Sequence, residues 1–272
     1  PLSFHMDYNM ADPMTIEATG LFYKAYGMSG LPYFNINMRK QEGGVSREPA
    51  GMISAIEDEL EMYPATCGVA IETSYDSAAG KVTVTSKIIS NVAARHKYHI
   101  FLLEDGISAT QSGANGDYIH NNVVRKMFAP DITGMNINKK NPFTPGVEVT
   151  AVNSVELEKG WNPENMRVVV AMLNTKDGGK NFMANNAAEC AVGKSVDYAF
   201  VGDVPAIESQ FQKRVCVMEF TGTWCAQCPS GATVLNYLVD RAYKGKAFAA
   251  TSPFTGFFTM AECDLTEADI VV

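Results

Sequence analysis

Two cysteines, Cys225 and Cys228, have the spacing of a redox pair. They are separated by Ala and Gln and follow Trp224 in the segment Phe-Thr-Gly-Thr-Trp-Cys-Ala-Gln-Cys-Pro-Ser. A helix is predicted over residues 226–243, so Cys225 lies at its start, where unpaired N–H groups and the helix dipole stabilise a thiolate. We therefore expect Cys225 to be an exposed nucleophile and Cys228 to attack the mixed disulfide that Cys225 forms.

The attack by Cys228 requires that its thiol lose a proton, and a carboxyl group stands close by in the sequence. Residues 214–220 form a near-continuous apolar run, typical of a strand buried on both faces, and Glu219 interrupts that run. We expect the Glu219 carboxylate to accept the proton through a water molecule. The alternative is that Glu219 is an ordinary strand residue whose side chain reaches solvent.

Composition and charge exclude several classes of protein. Apolar residues make up 46% of the 272-residue chain and charged residues 19%, so the chain is globular and long enough for two domains. Its net charge of -8 argues against a nucleic-acid partner. No apolar stretch approaches transmembrane length. Six cysteines suit an exported protein with few disulfides.

The spacing of apolar residues changes twice along the chain. Residues 1–62 read as α/β, with one helix predicted to start at Asp12-Pro13 and to end at Gly27, and another over 49–62. Between residues 66 and 200 the period becomes two, and a hairpin is predicted from strands at 69–75 and 81–88. This middle part predicts an all-β domain, an immunoglobulin-like β-sandwich.

After residue 200 the α/β pattern returns, and its motif resembles a known active site. The strand, Trp224-Cys225-x-x-Cys228 and the following helix are similar to the active site of thioredoxin-like proteins. That family places an acid six residues before the first cysteine, which is the position of Glu219. The resemblance implies thiol–disulfide exchange with protein thiols or disulfides, or with a redox partner protein. It implies no cofactor beyond the redox-active Cys225–Cys228 disulfide.

The same resemblance extends to the start of the chain. Thioredoxin-like proteins carry a cis-proline loop against the disulfide, and Leu31-Pro32 before the strand at 33–38 is similar to it. The resemblance therefore implies an α/β thioredoxin-like domain made of residues 201–249 together with 2–62. In that domain Leu31, Pro32 and Trp224 would form the substrate-binding surface. Residues 251–272 match neither domain and are left unplaced.

A closer resemblance is to the Bacteroidetes outer-membrane 28-kilodalton lipoprotein family, which joins a thioredoxin-like domain to a C-terminal β domain. The stretches that carry it are Glu219–Pro229, Phe4–Asp7 with Asp12-Pro13, Gly30–Pro32, Phe101–Gly106, His120–Arg125 and Trp161–Arg167. The resemblance implies an exported protein of the periplasm or outer membrane of a Gram-negative bacterium. It also implies a membrane tether in the form of a lipid anchor.

The order of the segments differs from that family, in which the CxxC strand and helix precede the remainder of the thioredoxin-like domain. Here residues 201–249 follow residues 2–200. Two accounts are open: a circular permutation, or a sequence whose segments stand out of their biological order. Permutations succeed at exposed loop tips, whereas this break falls within a predicted buried strand, so we favour the second account.

Other interpretations of the cysteines also follow from the sequence. A CxxC pair can be half of a zinc site, but no second CxxC exists and His96-x-x-His99 lies in the β domain, so we expect no metal. The Cys225–Cys228 disulfide can instead be non-catalytic, in an outer-membrane or periplasmic binding or structural protein whose β domain recognises the ligand. Nothing in the spacing of Cys67 and Cys190 requires a bond between them, although one is possible.

One polar group in the β domain needs a separate interpretation. His120, Asn121 and Arg125 lie close together in the sequence and suggest a polar cluster in a long loop. Such residues more often cap or order a loop than form a site, and we favour that interpretation.

Overall fold

The computed structural model describes residues 1–7, 10–39, 48–139, 142–174, 183–201 and 211–238. Within these ranges the helices are α1 (Glu17–Tyr26), α2 (Pro49–Met62) and α3 (Cys228–Tyr237), with a 3-10 turn at Pro163–Asn165. The strands are β1 (Leu2–His5), β2 (Tyr33–Ile36), β3 (Cys67–Asp76), β4 (Lys81–Ser90), β5 (His96–Glu104), β6 (Ile107–Ala109), β7 (Tyr118–His120), β8 (Val123–Met127), β9 (Met135–Asn136), β10 (Val149–Glu156), β11 (Met166–Asn174), β12 (Met183–Ala191), β13 (Ser195–Val196) and β14 (Val217–Thr221). No helix in the described ranges is both long and apolar enough to cross a membrane. The unplaced segment 251–272 and the predicted end of the last helix lie outside the described residues.

An eight-stranded mixed sheet forms the centre of the molecule. Its order is β12-β11-β5-β8-β1-β14-β2, and β9 pairs with β5 at the side. Strand β1 runs parallel to β14, from the pair Leu2 and Met218 onward, and parallel to β8 at Ser3 and Val123. Strand β14 pairs antiparallel with β2. All residues of β1, β2 and β14 are buried, as expected for apolar runs covered on both faces.

A second sheet, in the order β10-β4-β3-β13, packs on part of the first. The predicted hairpin is confirmed: β3 and β4 pair antiparallel from Cys67 and Ser90 to Asp76 and Lys81. Every second residue of β4 is buried, which is the period-two pattern of a strand with one face on a core. That core takes side chains from both sheets, for example Val84 on β4 and Val168 on β11.

The prediction for the helices was correct for α2 and wrong for the start of α1. Helix α2 has the predicted bounds, and α1 ends at Gly27, which is left-handed with φ 62°. However, α1 begins at Glu17, so Asp12 does not cap it. Both Asp12 carboxylate oxygens are buried and accept hydrogen bonds elsewhere, one of them from the backbone N–H of Met14.

The fold is thus mostly β. Its main sheet contains strands from both the α/β part and the all-β part that the sequence pattern separates. Phe4 on β1 lies at this junction, fully buried, and its ring is 5.3 Å from Phe22, 5.7 Å from Phe101 and 5.1 Å from Phe220 (centroid to centroid). These partners come from α1, β5 and β14. The α/β part therefore shares a hydrophobic core with the β-rich part, and the division into two domains stays a prediction.

Candidate functional site

The predicted redox pair forms a disulfide at the start of α3. The sulfurs of Cys225 and Cys228 are bonded, with their Cα atoms 5.4 Å apart. Two backbone hydrogen bonds shape the turn: Cys225 N–H donates to Gly222 O at 3.0 Å, and Cys228 N–H to Cys225 O at 3.2 Å. Because β14 is paired on both sides, with β1 and β2, and α3 packs on the core through Leu235, both ends of the turn are fixed.

The expectation that Cys225 is exposed was wrong, since only 6% of the residue is accessible. A loop between β6 and β7, residues 111–116, which we call the covering loop, packs on the segment around it. The Gln111 side-chain amide donates to Gly222 O at 3.2 Å and to Cys225 O at 2.9 Å. Ser112 N–H donates to Thr223 O at 2.7 Å. The sequence marks this loop as turn-rich but carries no signal of where it docks.

Glu219 is buried, lines the same cleft as Cys228 and has an unusual electrostatic environment. It is 2% exposed, and its Oε2 accepts a hydrogen bond from the Ser3 hydroxyl at 2.9 Å. Its Oε1 has no hydrogen-bond partner among the described residues. Burial raises the pKa of Glu219 to about 7, and the Ser3 hydrogen bond offsets only part of that rise. The carboxyl group is therefore able to gain or lose a proton near neutral pH.

The Leu31-Pro32 peptide bond is cis, and Pro32 lies beside α3. A Cβ atom added to Gly231 of α3 would be 3.1 Å from Pro32 Cβ, 3.0 Å from Glu219 Oε1 and 3.0 Å from Phe34 Cζ. Gly231 therefore lets Pro32 and Glu219 approach the helix one turn after Cys228. Gly231 was not predicted as part of the site, although a glycine inside a helix is unfavourable by roughly 1 kcal/mol relative to alanine and so indicates close packing. Leu31 is half-buried and packs against the main core.

A buried Asp–His pair anchors the turn before Cys225. Asp12 Oδ2 lies 2.9 Å from His5 Nδ1 and accepts a hydrogen bond from Thr223 N–H at 2.7 Å. Burial alone would raise the pKa of Asp12, but the His5 ring and the N–H donors outweigh it and hold that pKa below its ordinary value. The indole N–H of Trp224 donates to Met6 O at 2.7 Å, which fixes that ring against the residue that follows β1.

A small cleft of about 30 Å³ connects Cys228 with Glu219. His120 on β7 also lines it, with a buried Nε2 that has no hydrogen-bond partner among the described residues. Burial lowers the pKa of His120 to about 4, and the nearby His5 ring lowers it further, so the imidazole is neutral at pH 7. The cleft has room for a water molecule between the buried polar groups. Cys228 and Glu219 thus line one common cleft.

The suggested cluster of His120, Asn121 and Arg125 does not form, because the three side chains have different surroundings. Asn121 Oδ1 accepts a hydrogen bond from Gly106 N–H at 2.9 Å, and Arg125 pairs with Glu104 at 2.7 Å. Only His120 contributes a buried, unpaired nitrogen to the cleft. Sequence reasoning missed that role, because it depends on how the β6–β7 hairpin lies against β1 and β14.

The remaining cysteines and histidines lie elsewhere. Cys67, Cys190 and Cys216 are free and buried, so the possible Cys67–Cys190 bond is absent. His96 Nδ1 is 3.2 Å from Leu173 O, and His99 Nε2 is 3.1 Å from Ile132 O, both in the β-rich part. Within the described part of the chain, no group of three or more His, Cys, Asp or Glu residues is placed to hold a metal ion.

One comparison with a solved structure supports the fold. HBP35 of Porphyromonas gingivalis is similar with a TM-score of 0.54 and 16% identity, over 70% of this chain and 62% of that one. The chain thus spans less than two thirds of that protein, and at this identity the likeness concerns the fold alone. A domain of the outer membrane lipoprotein Omp28 from the same organism matches with a TM-score of 0.29 and 15% identity, over 47% of this chain and 97% of that domain.

Sequence comparison identifies the family. The search of curated proteins finds no match to this chain. The family model described as outer membrane protein Omp28 matches residues 20–196, which is more than half of the chain. The chain therefore belongs to the Omp28 family of outer membrane proteins, in agreement with the predicted location in the outer membrane of a Gram-negative bacterium.

Proposed function

We propose that this protein is a thiol–disulfide oxidoreductase that acts on exported proteins through Cys225 and Cys228. One observation carries the proposal: the buried Glu219 carboxyl, whose pKa is raised to about 7, lines the same cleft as Cys228. A disulfide that serves only as a structural link needs no titratable group beside it. A resolving cysteine does, because its thiol must lose a proton before it attacks.

The arrangement of the strands supports a thioredoxin-like site. The strand before the CxxC motif, β14, lies between the parallel β1 and the antiparallel β2. Strand β2 follows the cis Leu31-Pro32 bond directly, and Pro32 lies beside α3. The segment that carries β1 and β2 and the segment that carries β14 are far apart in the sequence. They are nevertheless neighbours in one sheet, which is the arrangement that the family resemblance implies. On this proposal, Leu31, Pro32 and Trp224 lie at the edge of the surface that receives the client protein.

The proposed reaction moves two electrons and needs no cofactor. In the reduced protein the Cys225 thiolate attacks one sulfur of a client disulfide, so an S–S bond forms to Cys225 and the other client sulfur leaves as a thiolate. Glu219, as a carboxylate, accepts the Cys228 proton through the cleft. The Cys228 thiolate then attacks the Cys225 sulfur, which closes the intramolecular disulfide and releases the second client sulfur as a thiolate. The Glu219 proton finally passes to a released thiolate.

Insulin reduction with dithiothreitol tests the proposal. We expect the wild type to accelerate precipitation of the insulin B chain and Cys225→Ser to have no effect above background. Cys190→Ser is the matched control, because Cys190 is also buried but is free and belongs to β12. It should retain activity. Equal inactivity of the wild type and Cys225→Ser would contradict the proposal.

A second candidate function has its own supporting observation. Because the covering loop leaves Cys225 only 6% exposed, the disulfide would also suit a binding or structural protein in which it holds α3 to β14. On that candidate, insulin reduction is absent in every variant and the β-rich part carries recognition. The same assay therefore distinguishes the two functions.

A further inference from the structure

The backbone carbonyl groups around Cys225 accept hydrogen bonds from the covering loop of the same chain. The carbonyl oxygens of Gly222 and Cys225 accept hydrogen bonds from the Gln111 amide, and that of Thr223 accepts one from Ser112 N–H. These are three acceptors in the four residues that end at the nucleophile. A reagent can reach Cys225 only if the covering loop moves, and that movement breaks all three of these hydrogen bonds. Thr223 O then loses its donor, while Gly222 O and Cys225 O keep only the backbone N–H groups of Cys225 and Cys228, unless the reagent provides further donors.

Gly113 brings the covering loop into van der Waals contact with the CxxC turn. Its φ is +81°, and a Cβ atom added there would lie 2.2 Å from Ala226 O and 2.9 Å from Ala226 C. These are backbone atoms, which cannot rotate away as a side chain would. Any residue larger than glycine therefore pushes the loop away from the turn. Gly116, in the same loop, has a similar φ of +76° but no atom within 4 Å of such a Cβ.

We propose that the covering loop determines substrate class: it gives extended polypeptide segments access to Cys225 and excludes small thiols and disulfides. This inference rests on the proposed thiol–disulfide exchange and specifies its substrate. An extended peptide carries backbone N–H groups at regular spacing, which replace Gln111 and Ser112 on the freed carbonyls. A small disulfide offers no such set of donors. It therefore reacts only in the fraction of molecules in which the loop is open and the carbonyls are paired with water.

The size of the effect follows from the number of hydrogen bonds. Each hydrogen bond that must be broken without replacement reduces the open fraction by roughly a factor of several, and three act together here. We therefore expect the wild type to prefer a peptide disulfide over a small disulfide by on the order of a hundredfold in the rate of mixed-disulfide formation. Loosening the loop should reduce this preference, mainly by increasing the rate with the small disulfide.

A single-turnover experiment tests the inference without requiring catalysis. The reduced full-length protein, in a Cys263→Ser background, is mixed with either DTNB or an extended cysteine peptide that carries thionitrobenzoate on its sulfur. Both reagents release thionitrobenzoate when Cys225 attacks, so the two rates are measured by one absorbance. The variants are Gly113→Ala and Gln111→Ala, with Gly116→Ala as the matched control for the strain of a positive φ.

The expected result is a DTNB rate about tenfold higher in Gly113→Ala and Gln111→Ala than in the wild type, with Gly116→Ala unchanged. The preference for the peptide should fall in the first two variants only. Equal DTNB rates in all four proteins, or no peptide preference in the wild type, would overturn the inference. If Gly113→Ala fails to fold, Gln111→Ala decides. If the wild type does not reduce insulin but still reacts faster with the peptide than with DTNB, the oxidoreductase proposal is refuted and the inference about the covering loop is not.

Discussion

Ser3 donates its hydroxyl proton to Glu219 Oε2 at 2.9 Å, across the parallel pair β1 and β14. This is the hydrogen bond that the structure provides for the Glu219 carboxyl group, and Oε1 has none among the described residues. A carboxylate with one donor is poorly compensated for the loss of water. The strand pairing therefore keeps Glu219 in balance between its charged and neutral forms near pH 7.

Replacing Glu219 by Gln should change how stability depends on pH. The folded state binds the Glu219 proton more tightly than the unfolded chain, so this stabilisation is complete below pH 4.5 and is lost as the pH rises through about 7. The rise in the pKa of Glu219 corresponds to a change of about 3 kcal/mol at most in the free energy of unfolding. We expect urea unfolding to show Glu219→Gln more stable than the wild type at pH 8, with a smaller difference at pH 5.

Glu72→Gln is the control for that measurement. Glu72 lies on β3 with its side chain exposed, so removal of its charge leaves a solvated amide in place of a solvated carboxylate. We expect the same pH profile as for the wild type. A Glu219→Gln profile that overlays the wild type would show that Glu219 ionises normally and would remove its proposed role as proton acceptor.

Asp12→Asn should destabilise the fold by about 2–4 kcal/mol, because a buried, charge-assisted set of hydrogen bonds loses its anion. Asp12 is within hydrogen-bond distance of His5 Nδ1 and accepts from the N–H groups of Met14 and Thr223. Asp76→Asn is the matched control, since Asp76 also accepts two backbone N–H groups but lies at the exposed end of β3, next to the hairpin turn. Urea unfolding should show that Asp76→Asn lowers the free energy of unfolding by less than about 1 kcal/mol. Equal losses would contradict the argument.

Three of the thiols should be unreactive in the native protein. Burial raises the pKa of Cys67 and of Cys216 to about 12 and also raises that of Cys190, so little thiolate exists at pH 8. In the oxidised protein with Cys263→Ser, we expect DTNB to react only after urea is added, with three equivalents per chain. Fast reaction before urea would show that one of these sites is open to solvent.

Thermal unfolding should occur in a single cooperative transition. Strand β1 pairs with β8 on one side and β14 on the other, and Phe4 contacts rings from both parts of the chain. Phe4→Ala should cost about 3–5 kcal/mol and lower the single Tm. Calorimetry that resolves two transitions, only one of them shifted by Phe4→Ala, would instead support two independent domains.

Local patterns in the sequence were sufficient to predict several elements. The β3–β4 hairpin and helix α2 follow from apolar periodicity alone, because each buries one face against a core. The CxxC turn follows from its motif. The predicted start of α1 was wrong because Asp12-Pro13 has the local chemistry of a helix N-terminus. The Asp12 carboxylate instead accepts a hydrogen bond from Thr223 N–H, in a distant segment. Such a long-range partner leaves no trace in the spacing of neighbouring residues.

The surroundings of the disulfide depend even more on contacts between distant segments. The covering loop and His120 come from the β6–β7 hairpin, whereas Ser3 lies on β1, and these two distant parts of the chain converge at the strand that carries Glu219, β14. The sequence identifies Cys225, Cys228 and Glu219 through one short stretch. It could not predict that Cys225 is covered, because the loop contributes mainly an amide, a backbone N–H and a glycine.

The pairing of β1 with β14 also has a consequence for folding kinetics. Ser3 and Glu219 are 216 positions apart, whereas the two cysteines of the disulfide are separated by 3. Contacts between residues so distant in the chain form slowly because a very large loop must close first. We therefore expect the disulfide to be able to form in an early, partly folded chain. Glu219 would then acquire its raised pKa only in the last stage of folding, when the sheet closes over it.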